Sequence, residues 1–170
     1  VIADAGIKVI GIDTNELHVS RINSKINPIP EEVGLQELLN KHVPHQLRAT
    51  ASFDVAKNSE AYIVIVPLFI DKKNNPDFSK LQSAFTSIAQ VLKKGDLVVL
   101  ETTVPPKTTE TLIKNILEEN SGMLAGEDFY LAYSPERIMT GYSISRYKEY
   151  PKVVGGINEV STQKAYELYS

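Results

Sequence analysis

Two uninterrupted apolar runs constrain the fold of this chain more than any other feature: Ala61-Tyr-Ile-Val-Ile-Val-Pro67 and Leu97-Val-Val-Leu100. Neither alternates polar with apolar residues, so neither suits a strand with one wet face. Both read as strands covered on two sides, the condition of a central parallel sheet. Between them, Phe78 to Leu92 places Leu81, Ala84, Phe85, Ile88, Ala89 and Leu92 at helical spacing, one apolar face to lay on the sheet. Gly95 closes that helix.

The flanking segments repeat the pattern. Val1 to Ala5 reads as the end of a helix with Gly6 at its C-cap, and Ile7-Lys-Val-Ile-Gly-Ile-Asp13 as a strand that stops on an acid. Asn15 to Asn23, with apolar residues at Leu17, Val19 and Ile22, predicts a weakly amphipathic helix. Leu47 to Ser52 predicts a strand and Ser52 to Asn58 a short helix. Thr108 or Thr109 is expected to cap a helix carrying Leu112, Ile113, Ile116 and Leu117, which Ser121-Gly122 ends. Phe129 to Tyr133 and Val153-Val154 follow as strands, and Asn158 to Tyr169 as a helix burying Val160, Ala165 and Leu168. The fold class is α/β, a Rossmann-like, doubly wound, mostly parallel sheet.

In such a sheet, ligands sit beyond the carboxyl ends of the strands, and an acid ending the second strand accepts the adenosine ribose hydroxyls. Asp13 occupies that place and is the candidate ribose acceptor. A carboxylate there also favours NAD over NADP, because it repels a 2′-phosphate. The glycine fingerprint that belongs one strand earlier is missing, together with its strand. That strand lies centrally in the usual order, so the natural chain is expected to continue upstream of Val1. Two further strand ends carry polar chemistry. Leu97-Val-Val-Leu-Glu-Thr-Thr-Val-Pro-Pro-Lys-Thr-Thr109 places Thr102 and Thr103 at one, and Leu131-Ala-Tyr-Ser-Pro-Glu-Arg-Ile-Met-Thr-Gly141 places Glu136 at the other.

Together these two stretches resemble the UDP-glucose/GDP-mannose dehydrogenase family, in particular its branch acting on UDP-N-acetylhexosamines such as UDP-N-acetylmannosamine. The family's Ser-Thr-Val-Pro-Pro-Gly-Thr-Thr is similar to Thr102-Thr-Val-Pro-Pro-Lys-Thr-Thr109, its Ser-Pro-Glu-Arg box to Ser134–Arg137, and its Gly-Gly pair to Gly155-Gly156. Glu32-Val-Gly-Leu-Gln-Glu-Leu-Leu39 also resembles a family segment, and it is read as structural.

The resemblance implies a double oxidation of a sugar CH2OH to a carboxylate with two NAD, through an aldehyde held as a thiohemiacetal. By the same resemblance, Thr103 helps hold the catalytic water and Glu136 assists hydrolysis, while both lie by the cofactor with Thr102, Val66 and Pro67. The family's Val-Pro-Thr-Pro is here Val66-Pro-Leu-Phe69, which lacks the hydroxyl. His18 stands where relatives often carry a basic residue that reaches the ribose. Arg137 marks the hexosamine branch, as substrate contact or as structural ion pair. Thr140 stands where the UDP-glucose type has a second acid, which also favours that branch.

The implied partner is a UDP-sugar, with homo-oligomerisation of the full-length protein through a central helix. Residues 1–156 are read as the NAD-binding domain and 157–170 as the start of the helix toward central and UDP-binding domains. In relatives the nucleophilic cysteine and the catalytic lysine lie beyond the position of Ser170. The 170 residues alone are therefore expected to turn over no sugar.

Composition limits the alternatives. The chain has 18 Lys plus Arg against 21 Asp plus Glu, no basic excess for nucleic acid. It has no long uncharged apolar run for a membrane span. With 0 cysteines it forms no disulfide or cysteine-ligated metal site. His18, His42 and His45 lack zinc spacing and are read as surface residues, so no metal is expected. A cytoplasmic location fits these traits. The competing readings are a UDP-glucose-type enzyme of the same family, another Rossmann dehydrogenase such as a 3-hydroxyacid enzyme, and a non-catalytic NAD-binding module.

Overall fold

The computed structural model describes residues 1–138, 141, 143–147 and 149–170, so Thr140 lies outside the described residues. In chain order the elements are β1 (Val9–Ile12), α1 (Glu16–Asn23), α2 (Leu35–His42), β2 (Leu47–Thr50), β3 (Ala61–Val64), β4 (Phe69–Ile70), β5 (Pro76–Asp77) and α3 (Ser79–Ala89). They continue with β6 (Leu97–Leu100), α4 (Lys114–Ser121), β7 (Tyr130–Tyr133), α5 (Ser143–Arg146), β8 (Gly155–Gly156) and α6 (Glu159–Tyr169). A 3₁₀ turn at Phe53–Asn58 and a π turn at Thr109–Ile113 complete them. Two compact units divide the chain: Val1–Phe53 with Arg137–Pro151, and Asp54–Glu136 with Lys152–Ser170. Among the described residues no helix is long and apolar enough to cross a membrane.

In the first unit β1 and β2 pair in parallel, Val9 opposite Leu47 and Ile12 opposite Thr50. The ladder runs one step further, since Asp13 N–H donates to the Thr50 carbonyl at 3.2 Å. Asn15 caps α1, its Oδ1 accepting from Leu17 N and His18 N. This unit also corrects one expectation. His42 is buried, not a surface residue, and its Nε2 lies 2.9 Å from Asp4 Oδ1. An imidazole tolerates burial when a carboxylate answers its ring nitrogen, and Asp4 does so beside Lys41 Nζ at 2.6 Å. Those two hydrogen bonds, the one from Lys41 foremost, lower the Asp4 pKa to about 2.

Glu32 is also buried in this unit. Its carboxylate accepts from Gly141 N at 2.7 Å and Ile144 N at 2.9 Å, as befits a structural segment. Hydrogen bonding from the Ser143 side chain and then from Ile144 N–H lowers its pKa. Gly141 sits at φ 98°, a region that costs any other residue strain.

In the second unit the strand order is β3-β6-β7-β8, with β8 antiparallel to β7 and the others parallel. All four residues of β6 are buried, so this strand is covered on both faces, as its unbroken apolar run requires. Leu97 and Val99 face one side with Ala132 and Ala165 of α6, while Val98 and Leu100 face the other. The face expected of α3 is observed, with Leu81 and Phe85 wholly buried. Removing a side chain such as Phe85 from water contributes about 1.5–3 kcal/mol.

Three local expectations fail in this unit, each for a packing reason. Thr108 does not cap α4. It is already helical at φ −53°, and its Oγ1 donates to the Pro105 carbonyl at 2.7 Å. The last strand falls on Gly155–Gly156 and not on Val153–Val154. There α6 passes so close that a Cβ on Gly156 would lie 2.3 Å from Thr162 N, and packing overrides valine's strand preference. Finally, Val160 is 53% exposed and Ser161 takes the buried place. Asn158 caps α6 through Ser161 N, and the resulting phase turns Ser161, Ala165 and Leu168 to the sheet. The buried Ser161 hydroxyl is answered by Leu131 N–H at 3.4 Å.

Candidate functional site

Asp13 ends β1 with its carboxylate about half exposed. One oxygen accepts from Asn15 N at 2.8 Å, and the other lies 3.3 Å from His18 Nδ1. A carboxylate has about four acceptor positions, so each oxygen retains capacity for a further donor. That spare acceptor capacity fits the hydroxyl donors of a ribose diol. His18 is the basic side chain beside this acid. Arg137, in the same unit, donates from Nη2 to the Pro151 carbonyl, so this guanidinium has a structural partner.

The other predicted residues lie in the second unit, where parallel pairing of β6 with β7 brings two strand ends level. Leu100 lies opposite Tyr133, and Ser134 N–H and Glu136 N–H then donate to the carbonyls of Leu100 and Glu101 at 2.9 and 3.1 Å. Pro135 offers no N–H to the ladder, and Glu136 beyond it is exposed at the carboxyl edge. Thr102 and Thr103 leave β6 at the same edge and divide the work between them. Thr102 Oγ1 donates to the Val66 carbonyl at 2.7 Å and so ties the end of β6 to the end of β3. Thr103 is exposed, as is Pro67. The structure therefore brings Val66, Pro67, Thr102, Thr103 and Glu136 to one sheet edge.

Three residues that sequence reasoning passed over gather at this edge. Lys152 Nζ lies 2.9 Å from Glu101 Oε1 and 3.2 Å from Glu136 Oε2. Tyr169, at the end of α6, donates its hydroxyl to Glu101 Oε1 at 2.5 Å, and the Lys152 ammonium stands 5.1 Å from that ring's centre. Burial grades outward: the side chains of Glu101, Lys152 and Glu136 are 10%, 18% and 39% exposed. The strand-end rule that singles out Asp13 and Glu136 applies equally to Glu101. Lys152, bordering the apolar Val153-Val154, had only its charge as a signal.

An open cleft of about 400 Å³ adjoins the motif, lined by Val104 to Glu110, Tyr133 and Gly155 to Ile157. It includes neither Thr103 nor Glu136, so it marks space beside the polar edge and not the edge itself.

The parallel α/β layering with polar strand ends is that of the NAD-binding domains of dehydrogenases. The chain belongs to the UDP-glucose/GDP-mannose dehydrogenase family, whose NAD binding domain it matches over residues 1–170. UDP-N-acetyl-D-mannosamine dehydrogenase of Pyrococcus horikoshii is 34% identical over 172 residues, covering 98% of this chain and 40% of that protein. UDP-N-acetyl-D-glucosamine 6-dehydrogenase of Pseudomonas aeruginosa is 35% identical over 161 residues, covering 95% of this chain and 37% of that protein. Among solved structures, the UDP-D-ManNAc dehydrogenase of Pyrococcus horikoshii superimposes with a TM-score of 0.94 at 31% identity, over 99% of this chain and 40% of that one. The chain thus spans about two fifths of the length of these relatives.

Proposed function

We propose that this chain is the cofactor half of a nucleotide-sugar 6-dehydrogenase that oxidises a UDP-N-acetylhexosamine, UDP-N-acetylmannosamine in the first place, to its uronic acid. The observation that carries the reading is the shared edge of β6 and β7, where Glu136 stands exposed beside the Thr102-Thr103 pair. NAD, when bound, supplies the hydride acceptor, and two NAD used in turn would balance the four-electron oxidation. Asp13 would hold it through the ribose hydroxyls, with Val66, Pro67 and Thr102 offering backbone and apolar surface at the β3 and β6 ends. Thr103 offers a hydroxyl to position water, and Glu136 offers a carboxylate to take the proton that water loses on attack. Arg137 is assigned to the sugar nucleotide, alongside its bond to Pro151.

Support for the hexosamine branch comes from Arg137, from Thr140 and from the relatives named above. In this reading residues 1–156 bind the cofactor, and the helix beyond leads to the rest of an oligomeric, cytoplasmic enzyme making polysaccharide precursors. The test is NADH yield per sugar by the full-length protein over a panel of UDP-sugars and GDP-mannose. Two NADH per UDP-N-acetylmannosamine, with little from UDP-glucose, is the expected result. Two from UDP-glucose instead would overturn the branch, and NAD binding without turnover of any sugar would overturn the enzyme reading.

A further inference from the structure

We propose that Lys152 is a positioning residue for Glu136, and that Glu101 and Tyr169 form the mount that holds it. The proposal rests on the reading of Glu136 as the proton acceptor. Its basis is the geometry of one cluster: a single ammonium bridges an inner carboxylate at 2.9 Å and an outer one at 3.2 Å. The inner carboxylate cannot drift. Glu101 N–H is bound to the Val64 carbonyl at 2.9 Å, its own carbonyl accepts from Glu136 N–H, and Tyr169 clamps its Oε1. Lys152 is therefore seated on the sheet, and Glu136 is the partner that reaches into solvent. Such an arrangement fixes the outer carboxylate's direction and keeps it ionised, because a nearby cation favours the charged form.

Among the described residues, Lys152 ahead of β8 meets Glu136 directly, while Glu101 at the end of β6 lies on the other side of that ammonium and Tyr169 at the end of α6 bonds to Glu101. They act in opposite senses. Lys152 favours ionised Glu136, and the Glu101 carboxylate opposes it. An ion pair that serves only to hold the fold would weaken stability when broken, yet leave the acid limb of the activity profile in place. A positioning role moves that limb, and in a direction set by which charge is removed.

The experiment is the pH dependence of kcat/KM for the full-length enzyme with NAD and its sugar, in Lys152→Met, Lys152→Arg, Glu101→Gln and Glu136→Gln. Lys152→Met should move the acid limb to higher pH, so that activity on that limb falls about tenfold further than at the alkaline plateau. Lys152→Arg should restore most of the loss. Glu101→Gln keeps an acceptor oxygen for Tyr169 and Lys152 and should move the limb to lower pH. If Lys152→Met does not fold, the opposite shift in Glu101→Gln still decides the matter. Limbs that stay at the wild-type pH in Lys152→Met and Glu101→Gln, while Glu136→Gln abolishes the limb, would overturn the proposal and leave the role of Glu136 standing. An unchanged limb in Glu136→Gln would overturn that underlying role instead.

Discussion

Gly156→Ala tests the seat of α6, on which the placement of Tyr169 depends. The added Cβ would lie 2.3 Å from Thr162 N and 2.6 Å from both the carbonyl carbon and the Cβ of Ser161. Ordinary contacts are about 3.5 Å or longer, so the first turn of α6 must withdraw by about 1 Å. That withdrawal breaks the 2.8 Å bond from Gly156 N–H to Thr162 Oγ1 and lifts Ala165 from Leu97, Val99 and Ala132. Overpacking of this kind costs about 1–3 kcal/mol, and the lost bond adds about 1. Gly155 is the control one residue away. Nothing lies within 4 Å of its Cβ position, and its φ is not positive, so alanine there should be neutral or stabilising by about 0.5 kcal/mol. Equilibrium urea denaturation should separate the two variants by about 1–2 M in midpoint for a slope of about 2 kcal/mol/M. Hydrogen exchange should show the loss at α6 amides first. Equal midpoints for the two alanines would refute the close seat.

Three further outcomes are expected. Asp13→Ala should weaken NAD binding about tenfold or more by calorimetry, since a charge-assisted bond to a ribose hydroxyl is lost; affinity within threefold of wild type would remove Asp13 from the site. Asp4 has a pKa lowered from 3.8 to about 2 by Lys41 and then His42, so its contribution is present above pH 3.8 and lost as the pH falls through about 2. Unfolding curves of Asp4→Asn should therefore depend less steeply on pH across that window. Lys107 holds φ 70° where the family motif has glycine, and Lys107→Gly should raise stability by about 0.5–1 kcal/mol in thermal unfolding, as left-handed strain is relieved.

The parallel core was legible because β6 is apolar at every position, a pattern that only two-sided burial explains. Helix α3 was legible for a similar reason, since Leu81, Phe85 and Ile88 repeat at helical spacing. That Asp13 and Glu136 lie just past strand ends was legible from chain position, while the roles assigned to them came from the second strand-end motif and the family resemblance. What failed depended on partners, near or far in sequence, that periodicity does not show. His42 reads as a surface residue until Asp4, 38 residues earlier, is placed on its ring. Val160 reads as core until Asn158 sets the phase of α6 and puts a hydroxyl there. Lys152 and Tyr169 had no local pattern at all: the bond from Tyr169 to Glu101 spans 68 residues. Periodicity reports which face of an element is apolar, but not which charges a parallel sheet draws to its edge.

That edge explains why a lysine and two glutamates sit together there. The carboxyl ends of β6 and β7 leave the ladder level with each other, so the acids following them are neighbours whatever their roles. Side by side without a cation they would repel. Lys152 resolves the conflict, and its own partial burial is tolerable because Glu101 answers it with a sheet-anchored carboxylate. The hydroxyl of Tyr169 then occupies an oxygen that burial would otherwise leave short of donors. Tyr169 closes the same helix whose first turn lies against Gly156. A glycine with no chemistry of its own thus sets, through one helix and one phenol, the footing of the exposed acid at the other end of the chain of contacts.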